Sequence, residues 1–262
     1  MTQPPVDELT KFFHILCDAA EKQTLPRFRT RLAIDNKEAE GFDPVTEGDR
    51  EAERAIRALI QQHYPDHGII GEEFGAHNET AELQWVIDPI DGTRSFISGL
   101  PLWGTLIGLY QNGIPIAGVM DQPYLGERYL AVDGKANMFY QKGSPTPLAT
   151  SSINKLSNAT LFTTSPHLMQ NTTDEAYFNV EQQVELFRYG CDCYAYTMLA
   201  AGQIDLVIET GLFIYDIAAL IPIIESAGGV VTNWQGESCA SGGQILAAAN
   251  QELHEQAMDV LV

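Results

Sequence analysis

Apolar residues at Val6, Leu9, Phe12, Phe13, Leu16 and Ala20 recur at helical spacing, which predicts an amphipathic helix ending before or near Pro26. A second helix is predicted around Ala52, Ala55, Ile56, Leu59, Ile60 and His63, with acids and arginines on its other face and a stop at Pro65. Trp85-Val86-Ile87 is short, apolar and β-branched in texture, so it reads as a buried strand that delivers Asp88 at its end. Runs at 102–109, 114–120 and 128–132 are strand-like. Turn signals at Asn112-Gly113, Gln122-Pro123 and Asp133-Gly134 join them as consecutive hairpins, so this sheet is expected to be largely antiparallel.

After 143–147 the texture changes to α/β. A strand near 161–164, a helix over about 192–201 and an apolar strand over 204–208 are expected. A helix over 217–227 should open at Asp216, with Pro222 either bending it or marking a later start. Gly228-Gly229 ends it, 245–249 forms a last strand, and a final helix runs from Gln251. The chain thus divides into an N-terminal α+β lobe, residues 1–145, and a C-terminal α/β lobe, residues 146–262.

Charge narrows the classes of function. With 15 Lys+Arg against 35 Asp+Glu the formal charge is -20, the opposite of a surface built for nucleic acid or anionic membranes. The 262 residues can bury a substantial core without covalent staples. Cys17, Cys191, Cys193 and Cys239 are too few and too unevenly spaced for a disulfide framework and are read as reduced thiols. Cys191-Asp192-Cys193 has no second pair to complete a zinc site. The N-terminus carries no basic-then-apolar leader pattern, and no segment approaches the roughly 20 apolar residues of a membrane span. A cytoplasmic location is expected.

The segment richest in chemistry is Asp88-Pro89-Ile90-Asp91-Gly92-Thr93. Two carboxylates three residues apart follow a buried strand, with Pro89 restricting the backbone between them. If the turn folds back, both acids face one point, where they repel and lose solvation; a hard divalent cation relieves both. Gly92 and Thr93 then offer backbone N–H groups to a phosphate at the start of the next turn or helix. Gly71-Glu72-Glu73 also places acids just past an apolar run, and Asp49 follows Thr46 at a helix start. Taken singly, Glu72-Glu73 reads as a solvated pair, Thr46 with Asp49 as a variant capping box, and Asp216 as an N-cap. His14, His67, His77, His167 and His254 show no mutual spacing and are read as surface or turn residues, as is His63.

Taken together, Asp43-Pro44-Val45-Thr46-Glu47-Gly48-Asp49, Gly71-Glu72-Glu73, Trp85 through Thr93, and Tyr215-Asp216 followed by Ala227-Gly228-Gly229 resemble the inositol monophosphatase family in order and spacing, across nearly the whole chain. The resemblance implies a layered αβαβα sugar-phosphatase fold, an antiparallel-rich N-terminal sheet with a smaller C-terminal α/β lobe, usually as a homodimer. It implies hydrolysis of a small-molecule phosphate monoester with two to three Mg²⁺ ions, for which Mn²⁺ can substitute. By position, Glu72, Asp88 and the Ile90 carbonyl would hold a first metal, and Asp88, Asp91 and Asp216 a second. Glu73 would serve a weaker third ion. Asp49 and Thr93, with Glu72, would orient and deprotonate the attacking water, and the Gly92 and Thr93 amides would meet the phosphate. A dianionic substrate needs these cations, because the carboxylates alone would repel it.

Substrate choice rests on residues that touch the leaving group. Thr93-Arg94-Ser95-Phe96-Ile97 stands where inositol monophosphatases proper usually continue Thr-Asn-Phe-Val, and Tyr189-Gly190-Cys191-Asp192-Cys193-Tyr194-Ala195-Tyr196 comes later. Both segments look more like the family's histidinol-phosphatase branch. Histidinol phosphate carries an ammonium and an imidazole, which want carboxylate partners. Asp192 and Glu209, with Asp91, are the expected substrate contacts. Arg94 would contact phosphate or brace a metal-bound carboxylate, and Trp103 is read as core. The alternatives are an inositol-1-phosphate phosphatase, a bisphosphate or nucleotide phosphatase, which would need more basic residues, and a non-catalytic divalent-cation-binding regulatory protein.

Overall fold

The computed structural model describes residues 3–31, 34–36, 44–169 and 172–261; Asp43, first residue of the N-terminal motif, lies outside them. Helix α1 (Val6–Thr24) buries Leu9, Phe12, Phe13, Leu16 and Ala20 of the predicted stripe together with Cys17, whereas Val6, in its first turn, is exposed. A short ladder of β1 (Ile34–Asn36) and β2 (Pro44–Thr46) leads into α2 (Glu47–His63), which buries Ala52, Ile56 and Ile60. Both helices cover one face of an eight-stranded sheet.

The strands of that sheet are β3 (Gly68–Gly71), β4 (Gly75–His77), β5 (Leu83–Asp91), β6 (Gly104–Gln111), β7 (Ile114–Gln122), β8 (Glu127–Val132), β9 (Lys135–Tyr140) and β10 (Pro145–Pro147), in the order β10-β9-β8-β7-β6-β5-β3-β4. Every neighbouring pair is antiparallel except β3 with β5. The expected hairpins are present. A short helix α3 (Thr93–Ile97) follows β5.

The second sheet has the order β12-β11-β13-β15-β14, from β11 (Thr160–Thr163), β12 (Leu186–Tyr189), β13 (Leu206–Leu212), β14 (Val230–Thr232) and β15 (Gly243–Ala248). Between the sheets lie α5 (Asp192–Ala200) and α7 (Leu220–Ser226), in a core with Leu106 and Met120 of one sheet and Val207, Ile245 and Ala247 of the other. Outside the second sheet α4 (Thr172–Glu181) and α8 (Gln251–Leu261) bury Tyr177, Leu253 and Ala257 against Leu161, Leu206 and Leu246. The layers run helix, sheet, helix, sheet, helix: the αβαβα arrangement. All four cysteines are free and buried. Among the described residues no helix is long and apolar enough to cross a membrane.

Three expectations need correcting. Strand β5 does not stop at Asp88 but runs to Asp91. The helix expected to open at Asp216 is broken in two: α6 (Ile214–Ile217) holds Asp216 inside its single turn, and α7 starts afresh with Pro222 in its first turn, where an N–H has no intrahelical partner to lose. His67 and His254 are buried rather than at the surface. The Trp85 indole donates to His67 Nδ1 at 3.0 Å, and Thr232 Oγ1 lies 2.7 Å from His254 Nε2, so polar partners permit the burial. His63 is exposed and Trp103 is fully buried, as expected.

Candidate active site

Strand β5 alternates in the ordinary way up to Asp88: Leu83, Trp85 and Ile87 face α1 and α2, whereas Val86 faces the middle layer beside Ala218. Asp88 pairs with Leu106, but Asp91 pairs with Gly104, so β5 holds one residue more than its partner over this interval. Without that bulge Asp91 would point to the opposite face from Asp88. With it, both carboxylates reach the same side. The turn is pinned by the Ile90 amide donating to Asp88 Oδ1 at 3.0 Å and by Thr105 Oγ1 donating to the Pro89 carbonyl at 2.8 Å.

The third carboxylate comes from the middle layer. Asp216 Oδ2 accepts from the Phe213 amide at 2.7 Å, which fixes it within α6. The α6–α7 junction rests on β6 and β7 where Gly108 and Gly118 face each other across the ladder. A Cβ at Gly118 would lie 2.6 Å from Ala219 Cα, and one at Gly108 would lie 2.9 Å from Ala218 Cβ, so only glycine permits this approach. One carboxylate oxygen each from Asp88, Asp91 and Asp216 then falls within 4.8 Å of the others.

Around this cluster the Glu72 amide donates to the Ile87 carbonyl at 3.2 Å, and the Glu72 carboxyl meets that of Asp88. Glu73 is not one of the three clustered acids; its amide donates to Glu53 Oε2 at 2.8 Å. Asp49 is 1% exposed and forms the expected capping box: Thr46 donates to Asp49 Oδ2 from its amide at 2.9 Å and from its hydroxyl at 2.6 Å. Thr93 Oγ1 donates to the Ile90 carbonyl at 3.1 Å. Gly92 precedes α3 with φ 81°, a left-handed conformation that suits glycine, and stands directly against Asp192.

A cleft of about 180 Å³ opens beside the cluster, and its lining includes Asp91, Asp216, Asp192 and Glu209 but neither Lys nor Arg among the described residues. Asp192 is not the N-cap of α5. It is the first helical residue, at φ 44°, and its Oδ2 accepts from Ser95 Oγ at 2.5 Å. Glu209 is no surface acid: it is 6% exposed and accepts from the Thr164 amide and the Tyr196 hydroxyl, each at 2.8 Å. Arg94 is exposed and acts on Asp192 through its charge. Asp91 also accepts from the Cys193 amide at 2.7 Å, which ties the β5 turn to the start of α5. Ser95, Cys193 and Tyr196 fall in the two segments that the sequence singles out for substrate choice but carry no individual role there, and Thr164 and Glu53 are not signalled at all, because each works through a contact distant along the chain.

Burial pushes Asp88 and Asp91 well above the carboxylate range, and each is raised further by its acidic neighbours. Burial pushes Asp216 up to about 7, and Asp49 up to about 6 with Glu72 adding to the rise. A set of convergent, mutually repelling carboxylate oxygens suits a hard divalent cation. A carboxyl whose folded pKa is raised keeps a proton that the unfolded chain has released. The cation-free fold therefore loses stability as pH climbs from the unfolded value near 4 through the folded values. Its Tm in chelator is expected to fall from about pH 4 to above pH 7. Mg²⁺ should raise Tm more at pH 8 than at pH 5, with about 2.7 kcal/mol gained at 100 times its Kd. A Mg²⁺ effect on Tm that shrinks as pH rises would contradict the cluster's assignment.

A family model for the inositol monophosphatase family matches residues 6–262. The chloroplastic bifunctional phosphatase IMPL2 of Arabidopsis thaliana is 41% identical, with the match spanning 100% of this chain and 77% of that protein. A histidinol-phosphatase of Chlorobaculum parvum is 36% identical over 91% of this chain and 90% of its own. Among solved structures, an inositol monophosphatase from Zymomonas mobilis aligns with a TM-score of 0.87 at 37% identity, covering 99% of both chains.

Proposed function

The chain belongs to the inositol monophosphatase family, and on that premise we propose that it is a Mg²⁺-dependent phosphate monoester hydrolase whose substrate is histidinol phosphate. The observation that carries this reading is the acidity of the cleft, lined by Asp91, Asp192, Glu209 and Asp216 without a lysine or arginine among the described residues. Cations at the cluster compensate Asp91 and Asp216. Asp192 and Glu209 remain, hydrogen-bonded by the neutral donors Ser95, Thr164 and Tyr196, with the charge of Arg94 reaching Asp192 only from the exposed side and nothing of that kind at Glu209 among the described residues. Neutral donors orient a carboxylate but do not cancel its charge, and an uncompensated buried charge costs several kcal/mol. A leaving group bearing an ammonium and an imidazole supplies the missing charge; inositol, with hydroxyls alone, does not.

Asp88, Asp91 and Asp216, with Glu72 and the Ile90 carbonyl, would hold two ions, and Glu73 a weaker third. When bound, they neutralise the phosphoryl oxygens, stabilise the leaving alkoxide and make water more acidic. The Gly92 and Thr93 amides meet the phosphate. Water attacks directly, without a phosphoenzyme. Thr93 orients it, and Asp49, ionised at neutral pH with its pKa near 6, accepts its proton.

The test is phosphate release from histidinol phosphate and from inositol 1-phosphate under matched conditions, with Mg²⁺ and then with excess chelator. A kcat/KM at least about tenfold higher for histidinol phosphate, roughly 1.4 kcal/mol of discrimination, and its loss in chelator are expected. Preference for inositol 1-phosphate would refute the acidic-cleft reading and retain the cation-dependent chemistry. No turnover of either would favour the cation-binding regulatory alternative.

A further inference from the structure

Glu53 lies in the middle of α2 and is 0% exposed. A carboxylate is removed from water only where partners replace its hydration. Glu53 has three. Its Oε1 accepts from Arg57 Nε at 2.7 Å and from the Phe74 amide at 3.2 Å, and its Oε2 accepts from the Glu73 amide at 2.8 Å. Arg57 reaches past it to donate to the Gly75 carbonyl. A Cβ on Gly71 would overlap the Glu53 carboxyl, so the backbone of residues 71–75 is wrapped directly onto this one side chain.

Glu72 sits inside that wrap. Its own amide is anchored to Ile87 on β5, while the two amides that follow it are anchored to Glu53 on α2, and its carboxyl meets Asp88. The backbone on both sides of Glu72 is thereby fixed. We infer that Glu53 is a positioning residue that aims the Glu72 carboxylate at the cation cluster, acting through the Glu73 and Phe74 amides without touching ion or substrate. The inference rests on the proposed reading of Glu72 as a cation ligand. Glutamine at position 53 keeps the shape but replaces one acceptor oxygen with an NH₂ group. That group would face an N–H or the Arg57 guanidinium, so one anchor is lost.

The test compares Glu53→Gln, Arg57→Lys and Glu72→Gln with the unaltered chain. Mg²⁺ affinity is read by titration calorimetry and by the Mg²⁺-induced rise in Tm, and stability by Tm in chelator. Glu53→Gln should weaken Mg²⁺ binding roughly 10–100-fold, the usual cost of losing a partner that orients a metal ligand, and Arg57→Lys by a few-fold. A merely structural Glu53 would lower Tm in chelator and leave Mg²⁺ affinity unchanged, which overturns the inference. Should Glu53→Gln fail to fold, Arg57→Lys decides by the same criterion. Unchanged affinity in Glu72→Gln would instead overturn the reading of Glu72 as a ligand. Weakened Glu72→Gln beside unaltered Glu53→Gln would overturn the positioning role alone.

Discussion

Asp91→Asn is expected to lower Mg²⁺-dependent turnover by at least about 10³-fold, about 4 kcal/mol of transition-state stabilisation, while the protein stays folded. Asparagine retains an oxygen that can accept from the Cys193 amide, so the link between the β5 turn and α5 survives. What disappears is a negative charge shared between cation and cleft. Because burial, with Asp216 and Asp192 beside it, opposes ionisation of Asp91, an amide there removes the cost of ionising it in the cation-free protein as pH rises. Tm in chelator should therefore rise or hold, and the Mg²⁺-induced gain in Tm should shrink. This pairing of lost activity with undiminished cation-free stability separates a ligand from a packing residue. Near-normal turnover by phosphate release would reject the assignment.

The second large effect concerns selectivity. Asp192→Asn should reduce kcat/KM for histidinol phosphate about 10–100-fold and change that for a simple aryl phosphate by less than about threefold, since the lost contact is to the leaving group. Asparagine is preferable to alanine here. Asp192 has φ 44°, a conformation asparagine tolerates and alanine does not, and asparagine can still accept from Ser95. Equal losses on both substrates, measured side by side, would make Asp192 a support for the β5 turn, consistent with its contact against Gly92.

Asp88 and Asp91 were legible because an apolar strand that ends in acids is a local pattern, and the strand's burial follows from its composition. Their convergence was not, since it depends on a bulge that appears only when β5 is laid against β6. Asp216 looked like an N-cap for a related reason. What carries it to the cluster is the pair Gly108 and Gly118, far away along the chain. Glu53 is hidden by its own helix: in an amphipathic segment with many charges, an acid on the flank of the apolar stripe reads as solvated, and only the loop folded over it shows otherwise. Strand β12 is exposed at every position, so it carries no alternation to detect. The burial of His67 and His254 is not legible in the sequence because it is decided by a distant partner, here Trp85 and Thr232.

The seam at Gly108 and Gly118 has one more effect. Packing of Ala218 and Ala219 into it draws the middle helical layer onto the first sheet, and the same approach brings Asp216 toward Asp88 and Asp91. Without cations the seam is locally frustrated: the apolar contact favours closure and the charges favour parting. Divalent ions bound at the cluster would reverse the electrostatic sign, so that both forces would close it. On the proposed reading the ions would act as mortar between layers as much as reagents, and rigidity of this part of the molecule would be tied to the same occupancy that enables the chemistry.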